Sequence, residues 1–446
     1  METNKKQSST KQLKQVLGFG DLLGTAVGQI IGSGIMTLLG AAIALTGRSV
    51  PLAFLVSTVL VVISSIPHIL ITGTIRVRGG QYTMVGMLAG KTMTGAFIIL
   101  YIMSNISLAM YGISFASYFI DLFGVGNTKT IAILVLTIFF VLNLMGVDKM
   151  AKFQNIIVIL MCIALASLAA FGMGNIQSDY FTNGFMTNGM TGLLQAGSLL
   201  TFAIGGGYVV TNLSAEAKNP TRDIPLAIIL ATLAVAVIYA AISIIAAGVL
   251  PVEEVAGKNL SIVANKVLPG PIYTFFMVCG AMFALISTLN AQYAWATKPI
   301  LQACDDGWLP RQLAFLHPKY KTPVVLLTIL YGLAVISVAA DISMSMLGNL
   351  SLIALSLTGL MVSANMWKLP QIVPDAWNRS KFKVGPGVMK VLVVLCVLGS
   401  IFNIYMNMTQ LTIELQIGNV VVVILAVIFA LIRRNKVEMD ISYEEN

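Results

Sequence analysis

Residues 27–47 read VGQIIGSGIMTLLGAAIALTG, apolar enough to lie in a bilayer yet carrying Gly32-Ser33-Gly34 where a spanning helix needs its strongest formers. Glycine costs about 1 kcal/mol per residue in a helix interior, and backbone groups left unpaired in hydrocarbon cost more still. Such a break persists only where it lines a protein cavity, so the freed backbone groups become ligands. A half-helix starting near Ile35 would turn its unsatisfied N–H groups and positive dipole end toward an anion, with the Ser33 hydroxyl as a further donor. Carbonyls freed around Gln29, Ile30 and Ile31 would accept from an ammonium group.

A second interruption strengthens this reading. AIGGGYVVTN, residues 203–212, places Gly205-Gly206-Gly207 in the middle of another apolar span, five spans after the first. Two glycine-broken spans at corresponding places in successive groups of five point to an inverted-repeat transporter with its binding site near the midplane. The carbonyls of Ala203, Ile204 and Gly205 would complete, with the first break, a clamp for an α-amino acid. The competing explanation, that the glycines only let helices approach closely, holds better for one cluster than for two.

Composition agrees. A chain of 446 residues, 57% hydrophobic and 10% charged, carries more apolar surface than one soluble core buries. Its apolar runs reach the length of a bilayer span, giving an all-α polytopic membrane protein. Twelve transmembrane helices are expected, at 19–46 and 192–215 (both broken), 50–73, 93–121, 130–146, 151–173, 224–249, 271–301, 324–341, 344–366, 387–408 and 411–432. With the start of the chain inside, 21 lysines and arginines fall on the cytoplasmic side and only Arg48, Lys129, Lys258 and Lys266 outside. That bias places both termini in the cytoplasm and makes the +9 net charge a matter of topology and lipid headgroups, not nucleic acid. Cys162, Cys279, Cys304 and Cys396 have no metal-ligand spacing and read as small hydrophobes. No metal site, phosphate loop, hydrolase elbow or cofactor signature is present, so an enzyme is not expected. The start of the chain lacks the pattern of a cleaved signal peptide.

IGSGIMTLLGAAIALTG in span one, GGQYTMVG (79–86), AEAKNPTRDIPLAI (215–228) and ACDDGWLPRQLAFLHPKYKTP (303–323) together resemble the amino acid–polyamine–organocation superfamily. The DDG form of the last motif is most similar to the basic amino acid/polyamine antiporter branch. The resemblance implies a leucine-transporter-like fold: a cytoplasmic tail (1–18), a first inverted repeat (19–175, spans 1–5), a second (190–366, spans 6–10), two further helices (386–433) and a second cytoplasmic tail (434–446). It also implies alternating access at the cell membrane. Carried over position by position, it puts Gly32, Ser33, Gly34 and Ile35 at the carboxylate, beside the Ile31 carbonyl, with Phe202 at an aromatic gate and Asn105 near the substrate side chain. Asparagine in a span also serves as interhelical glue, and that alternative stays open.

Departures from the family pattern narrow the substrate. Tyr208 stands where many relatives carry an acidic residue, and Gly207 where a bulky one is common. A cationic side chain would lose its counter-charge and the pocket would gain room. Neutral amino acids are therefore expected, large or aromatic ones stacking on Phe202 or Tyr208. Met161 takes the place of a lysine that stands in for an ion in several relatives. Ionisable residues are few within the spans, which leaves His68, Lys298 and the hydroxyls of Ser287 and Thr288 as gate or coupling candidates. Exchange of amino acids is the expected mode; a proton- or sodium-coupled symporter is the alternative, and a sensor or channel finds less support. Glu216, Lys218, Arg222 and Asp223, facing Asp305 and Asp306, are expected at an inner gate. The expected partners are an amino acid substrate and the lipid bilayer, with a monomer and a homodimer both allowed.

Overall fold

The computed structural model describes residues 15–32, 34–146, 150–439 and 443–445, the side chains of 150–155 excepted. Ser33 of the expected clamp lies outside the described residues, as do several of the lysines counted for topology. The helices run α1 Phe19–Ile30, α2 Leu39–Thr46, α3 Val50–Thr72, α4 Gln81–Ala89, α5 Lys91–Ser104, α6 Ser107–Phe123, α7 Thr128–Leu144, α8 Met150–Gly172, α9 Gly189–Ile204 and α10 Pro220–Gly248. They continue with α11 Val252–Val255, α12 Ser261–Val267, α13 Gly270–Phe275, α14 Phe283–Asp305, α15 Val324–Ala339, α16 Met344–Ser363, α17 Leu369–Ile372, α18 Pro374–Arg379, α19 Pro386–Met408 and α20 Ile413–Arg433. Two short strands, β1 Ile75–Val77 and β2 Tyr443–Glu445, pair antiparallel.

Among the described residues, nine helical stretches are long and apolar enough to cross a membrane, and α7 and α15 are shorter apolar helices. The first stretch, Phe19–Thr72, contains both α1–α2 and α3, joined through a turn of 3₁₀ helix at Gly47–Ser49. Local signals set several boundaries. Asn127 caps α7 by accepting from the Lys129 and Thr130 N–H groups, and Ser343 caps α16 by accepting from Met346 N–H. Span seven, expected over 224–249, begins earlier, at Pro220, whose missing N–H costs nothing in a first turn.

Three spans depart from the sequence reading. The span expected at 93–121 is interrupted at Asn105, which separates α5 from α6. The cause is local: the Asn105 side-chain amide donates back to the Tyr101 carbonyl at 2.8 Å, while its own N–H bonds Ile102 O at 3.2 Å, tightening the turn. The span expected at 271–301 passes through a π-helical stretch, Phe276–Met282, between α13 and α14. After α9 the second break is a run of 3₁₀ helix, Gly205–Leu213, and not open backbone. Three glycines weaken the α ladder there without abolishing hydrogen bonding.

Packing puts the broken helices at the centre. α1 lies against α8, α10 and α14, and α9 against α2 and α3, while α19 and α20 pack on the outside against α16 and α5. The large apolar side chains that α19 and α20 leave exposed, such as Val391, Leu398, Ile424 and Leu431, suit a lipid-facing flank. The four cysteines are free; Cys304 and Cys396 are buried, as small hydrophobes should be.

Candidate substrate site

The break in span one is the first thing the neighbouring helices answer. α1 stops at Ile30, the chain bends through Ile31 and Gly32, and a π-helical turn, Gly34–Leu38, leads into α2. The carbonyls this releases are met by hydroxyls from other helices. The single proton of Thr288 Oγ1 is shared among Gly28 O at 2.9 Å, the Ala284 carbonyl of its own helix at 3.0 Å and Ile31 O at 3.3 Å; Ser287 Oγ stands 3.3 Å from Gly28 O, and Tyr239 OH donates to Ile30 O at 2.9 Å. Buried backbone acceptors must be paired, and in this structure α14 and α10 supply the donors. Ser287 and Thr288, expected as candidates for a sodium site with carbonyls of span one, do stand beside those carbonyls, both within 3.3 Å of Gly28 O.

Glycine at each break serves close approach as well as backbone freedom. A Cβ on Gly34 would stand 2.3 Å from the Cα of Ala203, and one on Gly32 2.2 Å from Thr288 Oγ1. On Gly206 it would meet the Gln29 carbonyl at 2.8 Å. The two breaks thus touch backbone to backbone, which brings Ile31, Gly32, Gly34 and Ile35 beside Ala203, Ile204 and Gly205. Gly207 does not open the pocket as expected: a Cβ there would find Thr232 Oγ1 at 3.2 Å and Ile30 Cδ1 at 3.3 Å, so its room is already filled.

Around the breaks runs a ring of neutral polar groups. Gln292 Nε2 donates to Asn105 Oδ1 at 2.9 Å and to Ser107 Oγ at 3.0 Å; Trp295 Nε1 donates to Gln29 Oε1 at 3.0 Å. The Tyr111 ring stands 6.3 Å from that of Phe202. Asn105, fully buried, joins α5–α6 to α14, the interhelical role the sequence left open. Ser107, Tyr111, Tyr239, Gln292 and Trp295 were not singled out in the sequence, and Gln29 only for its backbone carbonyl. For α14 the signal was present, since Thr288, Gln292 and Trp295 recur at i, i+4 and i+7 on one face.

Tyr208 and His68 sit to one side of this ring. Their rings pack at 4.7 Å between centroids, and His68 Nε2 lies 3.0 Å from Gln81 Nε2. They border a cavity of about 60 Å³ between α3, α9, α16 and α19, lined also by Ser64, Thr201, Ser356 and Asn403. Tyr208 is thus occupied by His68, whereas Phe202 remains at the ring. Lys298 is further away still, in an ion pair with Glu216 at 2.7 Å where both side chains are largely buried.

Hydrogen bonds and ion pairs tie the helices on both sides of the breaks. On one side the Tyr118 hydroxyl donates to Met36 O at 2.6 Å and accepts from Leu260 N–H at 3.1 Å, and Gly257 N–H bonds Gly40 O at 2.7 Å. The segment carrying α11 and α12 is so fixed over α2. On the same side Arg48, almost wholly buried, holds Asp179 at 2.9 Å and keeps that carboxyl below its usual titration range. On the other side, beyond Lys298–Glu216, Leu17 pairs through its backbone with Glu216 and Lys218, and Tyr82 OH donates to Asp306 Oδ2 at 2.6 Å.

Apposed broken helices at the centre of an apolar bundle are the arrangement expected of a membrane carrier. The chain belongs to the amino acid permease family, whose model matches residues 17–432. It is 26% identical to a branched-chain amino acid permease of Bacillus subtilis over 71% of this chain and 73% of that one. It is 26% identical to the serine/threonine exchanger of that organism, with 73% and 76% covered. A methylthioribose transporter of Bacillus subtilis is 25% identical, with 78% and 80% covered. The family and these relatives are transporters, and the chain is an integral membrane protein.

Proposed function

We propose that the protein exchanges neutral amino acids across the cytoplasmic membrane by alternating access. The observation that carries this is the ring itself: the two broken helices meet at Gly34 and Ala203, and none of the side chains named around them is charged. A zwitterion would find N–H groups for its carboxylate at the start of the π-helical turn, with Ser33 as an added donor, and carbonyls for its ammonium. Phe202, Tyr111 and Trp295 suit an apolar or aromatic side chain, and a cationic one would lack a counter-charge. Relatives that carry branched-chain amino acids and serine or threonine support a neutral substrate.

The rest of the reading follows from this one. Twelve spans in two inverted repeats, 19–175 and 190–366, would place the breaks in equivalent positions, with 386–433 outside the repeats and tails at 1–18 and 434–446. Both termini would be cytoplasmic by the lysine and arginine bias. Tyr118–Met36–Leu260 would then be the outer gate and Lys298–Glu216 the inner one. The DDG sequence at 305–307 favours the antiporter branch for mode, while Tyr208 and Gly207 depart from it for substrate. A second reading, proton-coupled symport, has one observation in its favour, the contact of His68 with Tyr208 on the broken span.

Uptake of labelled amino acids into proteoliposomes, empty or preloaded, tests both. Exchange predicts uptake that needs a lumenal amino acid and is indifferent to imposed proton or sodium gradients. Concentrative uptake into empty vesicles driven by a gradient would overturn exchange in favour of symport. Preferred competition by arginine or by methylthioribose over neutral amino acids would overturn the substrate reading.

A further inference from the structure

The strand Tyr443–Glu445 pairs with Ile75–Val77 in a register that sets Glu444 opposite Arg76. Glu444 forms ion pairs with two arginines at once, Arg76, at 3.4 Å, and Arg78. Arg76 is 6% exposed and Glu444's side chain 41%, so the acid sits at the rim and the base beneath it. Met439, upstream of the strand, lies on α4: a Cβ on Gly86 would meet Met439 Cε at 2.8 Å.

What lies under β1 gives the strand a consequence. Arg76 Nη2 donates to the Lys218 carbonyl at 3.2 Å, and the Val77 N–H to Ser214 Oγ at 3.2 Å. The Gln81 N–H donates to Asn212 Oδ1 at 2.9 Å, and Gly80, at φ +58, leaves no room for a Cβ against that same side chain. Asn212 to Lys218 is the tail of the broken span six, and it contains Glu216, the partner of Lys298. β1 is therefore the brace on which this tail rests, and β2 is the only part of the brace contributed by the far end of the chain among the described residues.

We propose that the carboxy-terminal strand is a detachable latch on the inner gate: seated on β1 through Glu444, it holds the 212–218 segment in the closed position and slows each opening. The inference rests on the reading of Lys298–Glu216 as that gate. Exposed and half-exposed ion pairs are modest and salt-sensitive, which suits a latch that lets go during the cycle.

Two variants of the full chain in proteoliposomes test it, Glu444→Lys and a stop codon at Tyr443. Both should raise the exchange rate about two- to fivefold, the range two weak ion pairs can supply. Both should remove hydrogen-exchange protection from the 75–77 amides and from 212–218, whereas Glu444→Asp keeps wild-type values. Protection lost at 75–77 with the rate and the 212–218 amides unchanged would overturn the latch, and so would protection at 75–77 that survives deletion of the strand. Wild-type vesicles that exchange no amino acid would instead refute the transport reading. The hydrogen-exchange arm would then still decide whether strand and gate segment are coupled.

Discussion

Replacing Gly34 by alanine is the sharpest perturbation of the apposed breaks, because the structure supplies its own control. A methyl group on Gly34 would lie 2.3 Å from Ala203 Cα and 2.6 Å from its Cβ, against about 3.5–4.0 Å for an ordinary carbon contact. The obstacle is backbone, so no rotamer change relieves it, and the broken helices must separate by about 1.2 Å or more, the shortfall from ordinary contact. Overpacking of this kind costs about 1–3 kcal/mol in stability, and a displacement near 1 Å at a binding geometry costs on the order of 100-fold. Gly205→Ala, on the facing break two residues beyond Ala203, meets nothing closer than Val61 Cγ2 at 3.7 Å. We expect Gly34→Ala to lose most ligand-dependent thermal stabilisation and transport while remaining inserted, and Gly205→Ala to stay within a few-fold of wild type. Leucine at Gly34 would be a poorer probe, since it would wedge the spans apart outright. Wild-type affinity in Gly34→Ala, or equal damage from Gly205→Ala, would refute the idea that contact between the breaks shapes the site.

Lys298→Met leaves Glu216 charged and largely buried with no partner; breaking such a pair costs about 3–5 kcal/mol when fully buried and less with this exposure. Thermal unfolding should show the loss, and Lys298→Met with Glu216→Gln should recover much of it; additive losses in that double mutant would mean the pair is not coupled. Gln292→Leu strips Asn105 Oδ1 and Ser107 Oγ of their shared donor, a cost of about 1–3 kcal/mol, so an unchanged unfolding midpoint would contradict the ring. The Arg48 hydrogen bond depresses the Asp179 carboxyl below its ordinary 3.8, so its contribution is present above that value and disappears as pH falls through the lower, folded one. Asp179→Asn should therefore be less stable than wild type near neutrality and converge with it in acid; a difference that persists in acid would place the effect elsewhere.

How much of this was written in the sequence follows from the range of each interaction. The apolar runs and the glycine clusters at 32–34 and 205–207 are local, and both breaks fall where they were expected. The interruption at Asn105 was not legible, because a lone asparagine in a span reads alike as glue or as a turn until its bond to Tyr101 is seen. Partners of the freed carbonyls lie far along the chain: Tyr239 for Ile30, Thr288 for Gly28 and Ile31, Tyr118 for Met36. No spacing rule names them. The requirement that such carbonyls be satisfied was foreseeable, and only the identity of the donors was not. This changes what binding means on the transport reading. An amino acid that reaches the carbonyls of Gly28, Ile30 and Ile31 meets acceptors already in contact with the hydroxyls of Thr288 and Tyr239, so it must share or displace those hydrogen bonds. Exchanged hydrogen bonds contribute little net free energy, whereas leaving a buried group unmatched is costly. Discrimination then falls to the neutral ring of Asn105, Gln292, Tyr111, Phe202 and Trp295, where a charged side chain would be left without a partner.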